Sequence, residues 1–210
     1  MLLLLRQGRG SQWFSGIGQG TELRVQVSMP LWVSEARVQH AVAGELDSLD
    51  RLISVYQEDS EIMRLNRAGA NEWVGISPDF EQAYRWGCQL NALTDGAWDG
   101  TVLGESVGWS QLVWKPGFLK KTDSKVAVTL DSIGQGQGLD LIVARLRSLG
   151  GDDIWVQLGG EVRVWNSAGR PVAVEIAMPR TQYRASAGSI QFTNEAVSTS
   201  GDDGDGVKIV

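Results

Sequence analysis

Three stretches combine residue types and spacings that can do chemistry. Asp131 opens the run Asp131-Ser132-Ile133-Gly134-Gln135-Gly136-Gln137-Gly138, between a β-rich stretch, Val126 to Leu130, and a helical pattern, Leu139 to Leu149. Strand, glycine loop, helix is an anion-binding order. Free backbone N–H groups and the positive end of a helix dipole favour phosphate, and glycines let the backbone approach it. The GxGxG spacing is neither the dinucleotide GxGxxG nor a P-loop, and a tight strand-to-helix turn also accounts for the glycines. The second stretch, Gly96-Ala97-Trp98-Asp99-Gly100-Thr101-Val102, joins a flat ring to a carboxylate and a hydroxyl. Such a corner can stack a planar ligand, a ring face contributing about 0.5 to 1.5 kcal/mol beyond burial. Trp98 fits equally as a large core residue. The third, Leu158-Gly159-Gly160-Glu161-Val162-Arg163, sets an acid and a base directly behind a glycine pair, which a hairpin turn also explains.

The elements that must position these stretches are legible from periodicity. Thr21 to Ser28 alternates Leu23, Val25 and Val27 with Glu22, Arg24 and Gln26, the pattern of a half-buried strand. From Ser34 to Tyr56, apolar residues fall at Val38, Val42, Leu46, Leu49, Ile53 and Tyr56, which predicts an amphipathic helix with Ser34 as N-cap. A second helix is predicted from Ser77 towards Thr94, with Pro78 at its first position and Gly96 beyond its end. Short β-rich runs follow at Val126 to Leu130, Ile154 to Leu158, Glu161 to Trp165 and Val172 to Ala177, with one more helix, Leu139 to Leu149, stopped by Gly150. Strands and helices do not alternate as a doubly wound sheet requires, so the class is α+β. Gly159 and Gly160 are expected to form a turn that demands positive φ, with Gly160→Val destabilising.

Composition excludes several functions. At 210 residues, with 42% apolar and 21% charged residues, the chain suits one folded domain. A net charge of -6 argues against binding a nucleic-acid backbone, which relies on clustered Lys and Arg. The single cysteine, Cys88, forms no internal disulfide, and the single histidine, His40, sits in a helical pattern beside apolar neighbours, a poor place for a catalytic base. Met1 to Leu5 is too short for a signal-peptide core or a membrane span, so no export signal is visible and the compartment stays open. The nine tryptophans raise the idea of a sugar- or peptide-binding β-domain; Trp86, Trp155 and Trp165 lie in regular patterns, so most are expected in the core.

Several motifs recur in a fixed order: Gly20-Thr21; Ser54-Val55-Tyr56 with Asp59-Ser60-Glu61-Ile62 and Leu65-Asn66; Thr94-Asp95-Gly96-Ala97-Trp98-Asp99-Gly100-Thr101-Val102; Leu130-Asp131 with its glycines; Leu158 to Arg163; and Thr199-Ser200-Gly201-Asp202. In this order the chain resembles the FAD:protein FMN transferases, the ApbE-type flavin transferases, over most of its length. The resemblance implies a tunnelling-fold-like α+β architecture, an antiparallel sheet packed with helices. It also implies FAD as substrate, Mg2+ beside the pyrophosphate, and transfer of FMN to a Ser or Thr hydroxyl of a target flavoprotein with AMP leaving. Carried over by position, it implies that Tyr56, Ala97, Trp98, Asp99, Asp131 and Gln137 bind FAD, and that Gly134 offers a backbone oxygen to the metal. Those FAD-binding positions are expected to converge on one cleft. No catalytic residue is assigned.

The departures matter. Gln137 stands where the family usually carries Lys, and a neutral amide supplies no charge. Trp98 replaces the usual Phe. Past its TSG segment the family carries a His-containing stretch and a D-x-x-x-T motif with most of the Mg2+ ligands, so the expectation is a C-terminally shortened copy. Asp202, Asp203 and Asp205 are hard oxygen donors, but their spacing fits no complete metal loop, and a frayed, solvated end accounts for them. The 210-residue chain is therefore expected to bind FAD weakly and not to transfer FMN at a useful rate, with a non-catalytic flavin-binding module as the alternative. The resemblance leaves the compartment open, since the family is commonly exported and membrane-anchored but some members work in the cytoplasm.

Overall fold

The computed structural model describes residues 9–177 and 186–198. In chain order the elements are β1 (Arg9–Gly18), β2 (Thr21–Pro30), α1 (Glu35–Ile53), α2 (Glu61–Arg67), β3 (Val74–Gly75), α3 (Pro78–Leu93), β4 (Leu112–Lys115), β5 (Phe118–Lys121), α4 (Asp131–Ser148), β6 (Asp152–Leu158), β7 (Glu161–Trp165), β8 (Val172–Ala177), β9 (Ser186–Phe192) and β10 (Ala196–Ser198). Every described strand pair is antiparallel, so the class is α+β as expected. The chain divides into two compact units, residues 1–45 with 138–210, and residues 46–137. No helix among the described residues is long and apolar enough to cross a membrane. The Thr199 to Asp202 motif, with Asp203 and Asp205, lies outside the described residues.

The first unit carries a five-stranded sheet in the order β1-β2-β6-β7-β10 and a separate β8-β9 pair. In β2 the alternation does what it predicts, burying Leu23, Val25 and Val27. β1 is an element that periodicity does not reveal, because RGSQWFSGIG has no clean alternation. The β1–β2 turn creates it: Gln19 and Gly20 have φ of 49° and 72°, the two positive values of a type I′ turn, and they lock Gly18 opposite Thr21. β6 and β7 meet at the expected pair, Leu158 opposite Glu161. The positive φ of that turn falls at Gly159, at 60°, while Gly160 is not among the residues with positive φ. The demand for glycine therefore sits at the first turn residue, as in a type II′ turn, and the expectation for Gly160 is corrected.

The helices follow their caps. In α1 the Arg37 N–H donates to Ser34 Oγ at 3.3 Å, and Val38, Val42, Leu46, Leu49 and Ile53 are buried. The helix stops at Ile53, so Tyr56 belongs to the turn beyond it. In α3 the Phe80 N–H donates to Ser77 Oγ at 3.2 Å, Pro78 takes the first turn, and the chain leaves through Asp95 and Gly96, both at positive φ. The second unit's core gathers Leu49, Ile53, Ile62, Leu65, Phe80, Ala83, Leu119, Val126, Val128 and Leu130. The short helix α2, capped by Ser60, and the β3-β5-β4 sheet supply part of it without having been legible as elements.

Further expectations fail, wholly or in part, for physical reasons. Val126 to Leu130 is extended in composition but joins no sheet, because its backbone groups are met by other partners. Val128 exchanges both backbone groups with the Asn66 side-chain amide, at 2.8 and 2.7 Å. The Thr129 N–H donates to the Gly100 carbonyl at 2.8 Å, and Lys121 Nζ donates to the Val126 carbonyl at 2.9 Å. The glycine run is also no loop: α4 begins at Asp131, so Gly134, Gly136 and Gly138 lie in its first turns. The tryptophans only partly meet the expectation of a core role: Trp86, Trp98 and Trp114 pack, partly buried, against the core to which Trp109 belongs. Trp109 is buried, Trp13, Trp32 and Trp73 are exposed, and the others are intermediate. Basic side chains also lie over several of these rings, with Arg85 over Trp114, Lys115 over Trp73 and Arg147 over Trp165.

Candidate functional site

Within the second unit, two segments distant in sequence meet: the corner after α3, residues 96–101, and the approach to α4, residues 129–132. The Trp98 Nε1–H donates to Ser132 Oγ at 2.9 Å. One step further in, Gly100 lies so close to the Thr129 carbonyl that a Cβ at Gly100 would stand 2.6 Å from it. Trp98 and Asp131 are thus brought to one neighbourhood by a hydrogen bond to the residue beside Asp131. Ser132 was not singled out in the sequence, where nothing distinguishes it from other serines; only its place in the first turn of α4 gives it a partner.

The corner itself is rigidly built. The Trp98 backbone N–H donates to Thr94 Oγ1 at 2.9 Å, and Asn91 Nδ2 donates to the Trp98 carbonyl at 2.7 Å. Asp99 is the keystone. Its Oδ1 accepts from the Thr101 N–H at 2.8 Å and the Thr101 hydroxyl at 2.6 Å, and its Oδ2 accepts from the Trp109 N–H at 2.9 Å. Both carboxylate oxygens are thereby occupied in shaping the loop, while Ala97 is exposed and the ring of Trp98 is half-buried. Thr101, fully buried, passes the link on by accepting from the Gly108 N–H at 2.7 Å. The Asp-x-Thr spacing is the signal that could have found this turn, since Asp commonly accepts from the backbone two residues on.

The other expected positions stand differently. Asp131 is exposed in the first turn of α4, where a carboxylate favours the helix dipole. There it can accept hydrogen bonds from ligand hydroxyl or N–H groups, and its charge disfavours a phosphate at the same spot. Gln137 is 6% exposed, and its Oε1 has no hydrogen-bond partner among the described residues. Six residues along α4 from Asp131, it lies about 120° round the helix, on the side of buried Ile133 rather than of Asp131. A buried amide oxygen without a donor is costly, and a ligand N–H or hydroxyl would relieve it. Tyr56 is 93% exposed, and its backbone N–H donates to Ser54 Oγ at 3.3 Å; among the described residues no contact ties its ring to the Trp98 corner. Its ring is free to meet a ligand.

The residues present fit a planar ring with polar substituents better than they fit a metal. Gly134 lies inside α4, where its carbonyl accepts within the helix ladder. Among the described residues no three His, Cys, Asp or Glu side chains gather as ion ligands do. By themselves the described residues do not form the Mg2+ site that the resemblance implies.

Away from the corner, Lys121 is fully buried and donates to the carbonyls of Asn66, Ser124 and Val126 at 2.7, 3.2 and 2.9 Å. Burial holds its ammonium below the usual lysine range, with Asp123 opposing that shift. Lys121 and Asn66 together hold the segment that delivers Asp131 to its place. Burial also raises the Tyr84 hydroxyl above its ordinary range, helped by its contact with Cys88.

The chain is similar to known proteins over most of its length. An FAD:protein FMN transferase of Vibrio cholerae is 26% identical over 217 residues, covering 90% of this chain and 65% of the relative. One from Haemophilus influenzae is 27% identical over 224 residues, again covering 90% and 65%. The chain thus spans somewhat under two thirds of the length of these curated relatives. Among solved structures, the flavin transferase ApbE from Vibrio cholerae superposes with a TM-score of 0.82 at 24% identity, over 95% of this chain and 74% of that one. The apo form of the flavinyl transferase ApbE from Pseudomonas stutzeri does so at 0.81 and 26%, over 96% and 71%. The ApbE family pattern matches residues 19–104 and 103–208, nearly all of the sequence, and the chain belongs to the ApbE family.

Proposed function

We propose that this chain carries the FAD-binding part of an FAD:protein FMN transferase. The observation that carries this reading is the junction of the Trp98 corner with the start of α4, made by the hydrogen bond from Trp98 to Ser132. It joins two of the motifs shared with the flavin transferases within one compact unit. In this reading Trp98 and Tyr56 offer rings to the flat parts of FAD. The exposed backbone at Ala97 and the carboxylate of Asp131 meet its polar edges. Asp99 holds the corner in shape, and the unpartnered Oε1 of Gln137 accepts from the ligand. The oxygen of a Ser or Thr hydroxyl of an acceptor flavoprotein forms the new P–O bond to the FMN phosphorus as the bridging P–O bond breaks; AMP leaves with the bridging oxygen and the hydroxyl proton is released to solvent. Mg2+ belongs to this proposal with ligands outside the set of described residues.

A second reading is a flavin-binding module without transfer, and Gln137 favours it. A neutral, buried amide at this place compensates none of the charge of a pyrophosphate, and the net charge of -6 gives no long-range attraction to one. One experiment separates the two. The purified chain is incubated with FAD, Mg2+ and an acceptor peptide containing a DGxSGAT-like segment, and both flavin binding and covalent flavin fluorescence are measured. A transferase yields a fluorescent adduct heavier by one FMN, with AMP released. A binding module quenches FAD fluorescence without an adduct. Neither binding nor adduct overturns both readings.

A further inference from the structure

Trp109 was not among the residues expected at the site, yet it is the side chain against which the corner is assembled. It is 6% exposed and sits in a single 3-10 turn, Trp109–Gln111, just before β4. Its backbone N–H reaches Asp99 Oδ2, and its ring meets Trp98 edge-on, with centroids 5.1 Å apart and planes at 65°. On the α3 side it stacks on Tyr84, at 5.5 Å and 20°, and its Nε1–H donates to Cys88 Sγ at 3.4 Å.

The ring fills space that two glycines leave open. A Cβ at Gly87 would stand 2.5 Å from Trp109 Cζ2 and 3.0 Å from Trp98 Cη2. At Gly100 it would stand 2.8 Å from Trp109 Cζ3 and 3.2 Å from Trp98 Cη2. A Cβ closer than 3.0 Å forces something to shift, so Gly87 is set by this pair of rings and Gly100 by the Thr129 carbonyl together with the Trp109 ring; neither is among the positive-φ residues. One residue therefore holds the carboxylate that shapes the loop through its backbone N–H, and through its ring meets both the ring proposed to face the flavin and the helix behind them.

We propose that Trp109 is a positioning residue for flavin binding: it sets the orientation of Trp98 and of the Asp99 loop, with Gly87 and Gly100 as the space it requires. This rests on the FAD-binding reading above. A residue that merely fills the core would alter stability when replaced and leave the ligand affinity of the folded protein unchanged.

The test uses the full chain labelled with 5-fluorotryptophan, the Trp98 signal being assigned through Trp98→Phe. Trp109→Phe, Gly87→Ala and the double variant are compared by 19F NMR and by FAD titration, well below each variant's melting temperature. Trp109→Phe keeps the backbone N–H but removes the ring atoms that press on Gly87 and Gly100. It is expected to shift the Trp98 resonance and to weaken FAD binding about tenfold, the scale of a misplaced ring contact. Gly87→Ala, which pushes the Trp109 ring aside, is expected to do the same. The double variant, in which the new methyl fills the vacated space, is expected to recover most of the affinity, a coupling that independent sites do not show. An unmoved Trp98 resonance in folded single variants overturns the proposal, as does a shifted resonance with FAD affinity unchanged. Should the native chain bind no FAD, the functional reading fails, and the 19F comparison still decides whether Trp109 holds Trp98.

Discussion

Replacing Asn66 with alanine should unfold the approach to the candidate site more readily than any change of exposed surface. The Asn66 amide gives its Nδ2–H to the Val128 carbonyl at 2.8 Å and takes the Val128 N–H on its Oδ1 at 2.7 Å. Val128 is buried in the second unit's core and its segment joins no sheet, so both backbone groups lose their partner at once. An unsatisfied buried backbone group costs about 1–3 kcal/mol, and relaxation around the smaller side chain recovers part of it. The expected loss is therefore about 2–4 kcal/mol, read as a lower urea midpoint at unchanged slope. Asn66→Asp should be no better than alanine. It keeps an acceptor for the N–H but sets a carboxylate oxygen against the Val128 carbonyl. A loss below about 0.5 kcal/mol, the usual size for a surface change, would refute the reasoning and mean that Val128 finds other partners.

Gly159→Val should destabilise by about 1–3 kcal/mol, because φ of 60° is a strained conformation for a β-branched residue, while Gly160→Val should cost clearly less; thermal melts of the two variants check the order. Lys121→Met should destabilise by about 2 kcal/mol, since the three carbonyls it serves lose their donor while the cost of burying a charge is removed; unfolding in urea measures it, and an unchanged midpoint refutes it. Glu81 gives a pH signature. The Gly117 N–H and the Arg85 guanidinium hold its carboxyl below the ordinary value of 4.5, so its contribution is fully present above pH 4.5 and is lost as pH falls through the folded value. Melting temperatures between pH 7 and 3 should fall less steeply for Glu81→Gln than for the native chain, and parallel curves would count against it.

Where local rules act alone, sequence and structure agree. Ser34 and Ser77 start their helices by offering a hydroxyl to an N–H three residues on, and Gly150 ends α4 at a φ of 85° that few other residues adopt. The alternation of β2 buries Leu23, Val25 and Val27, because a strand turns successive side chains to opposite faces. The motif order was enough to name the family and to single out Trp98, Asp99 and Asp131. What it could not indicate was the use each residue has. Asp99 reads as a ligand contact, and its carboxylate is spent on Thr101 and Trp109.

Periodicity, capping and motif spacing are properties of a few consecutive residues, and they determined the α+β class, the start of α1, both ends of α3, the end of α4, the β6–β7 hairpin and the family. Three features were decided by tertiary structure alone. Val126 to Leu130 has the composition of a strand, but the side chains of Asn66 and Lys121 and the carbonyl of Gly100 take its backbone groups before any strand can. The glycine run reads as a loop and is helix from Asp131 onward, because the run's low intrinsic helix propensity is overridden once the buried face of Ile133, Leu139, Ile142 and Leu146 propagates the helix. Trp109 has no sequence signature at all. Its part comes from being brought between Gly87 in α3 and Gly100 in the corner beyond it, two different elements closing on one ring, and no pattern along the chain encodes that approach.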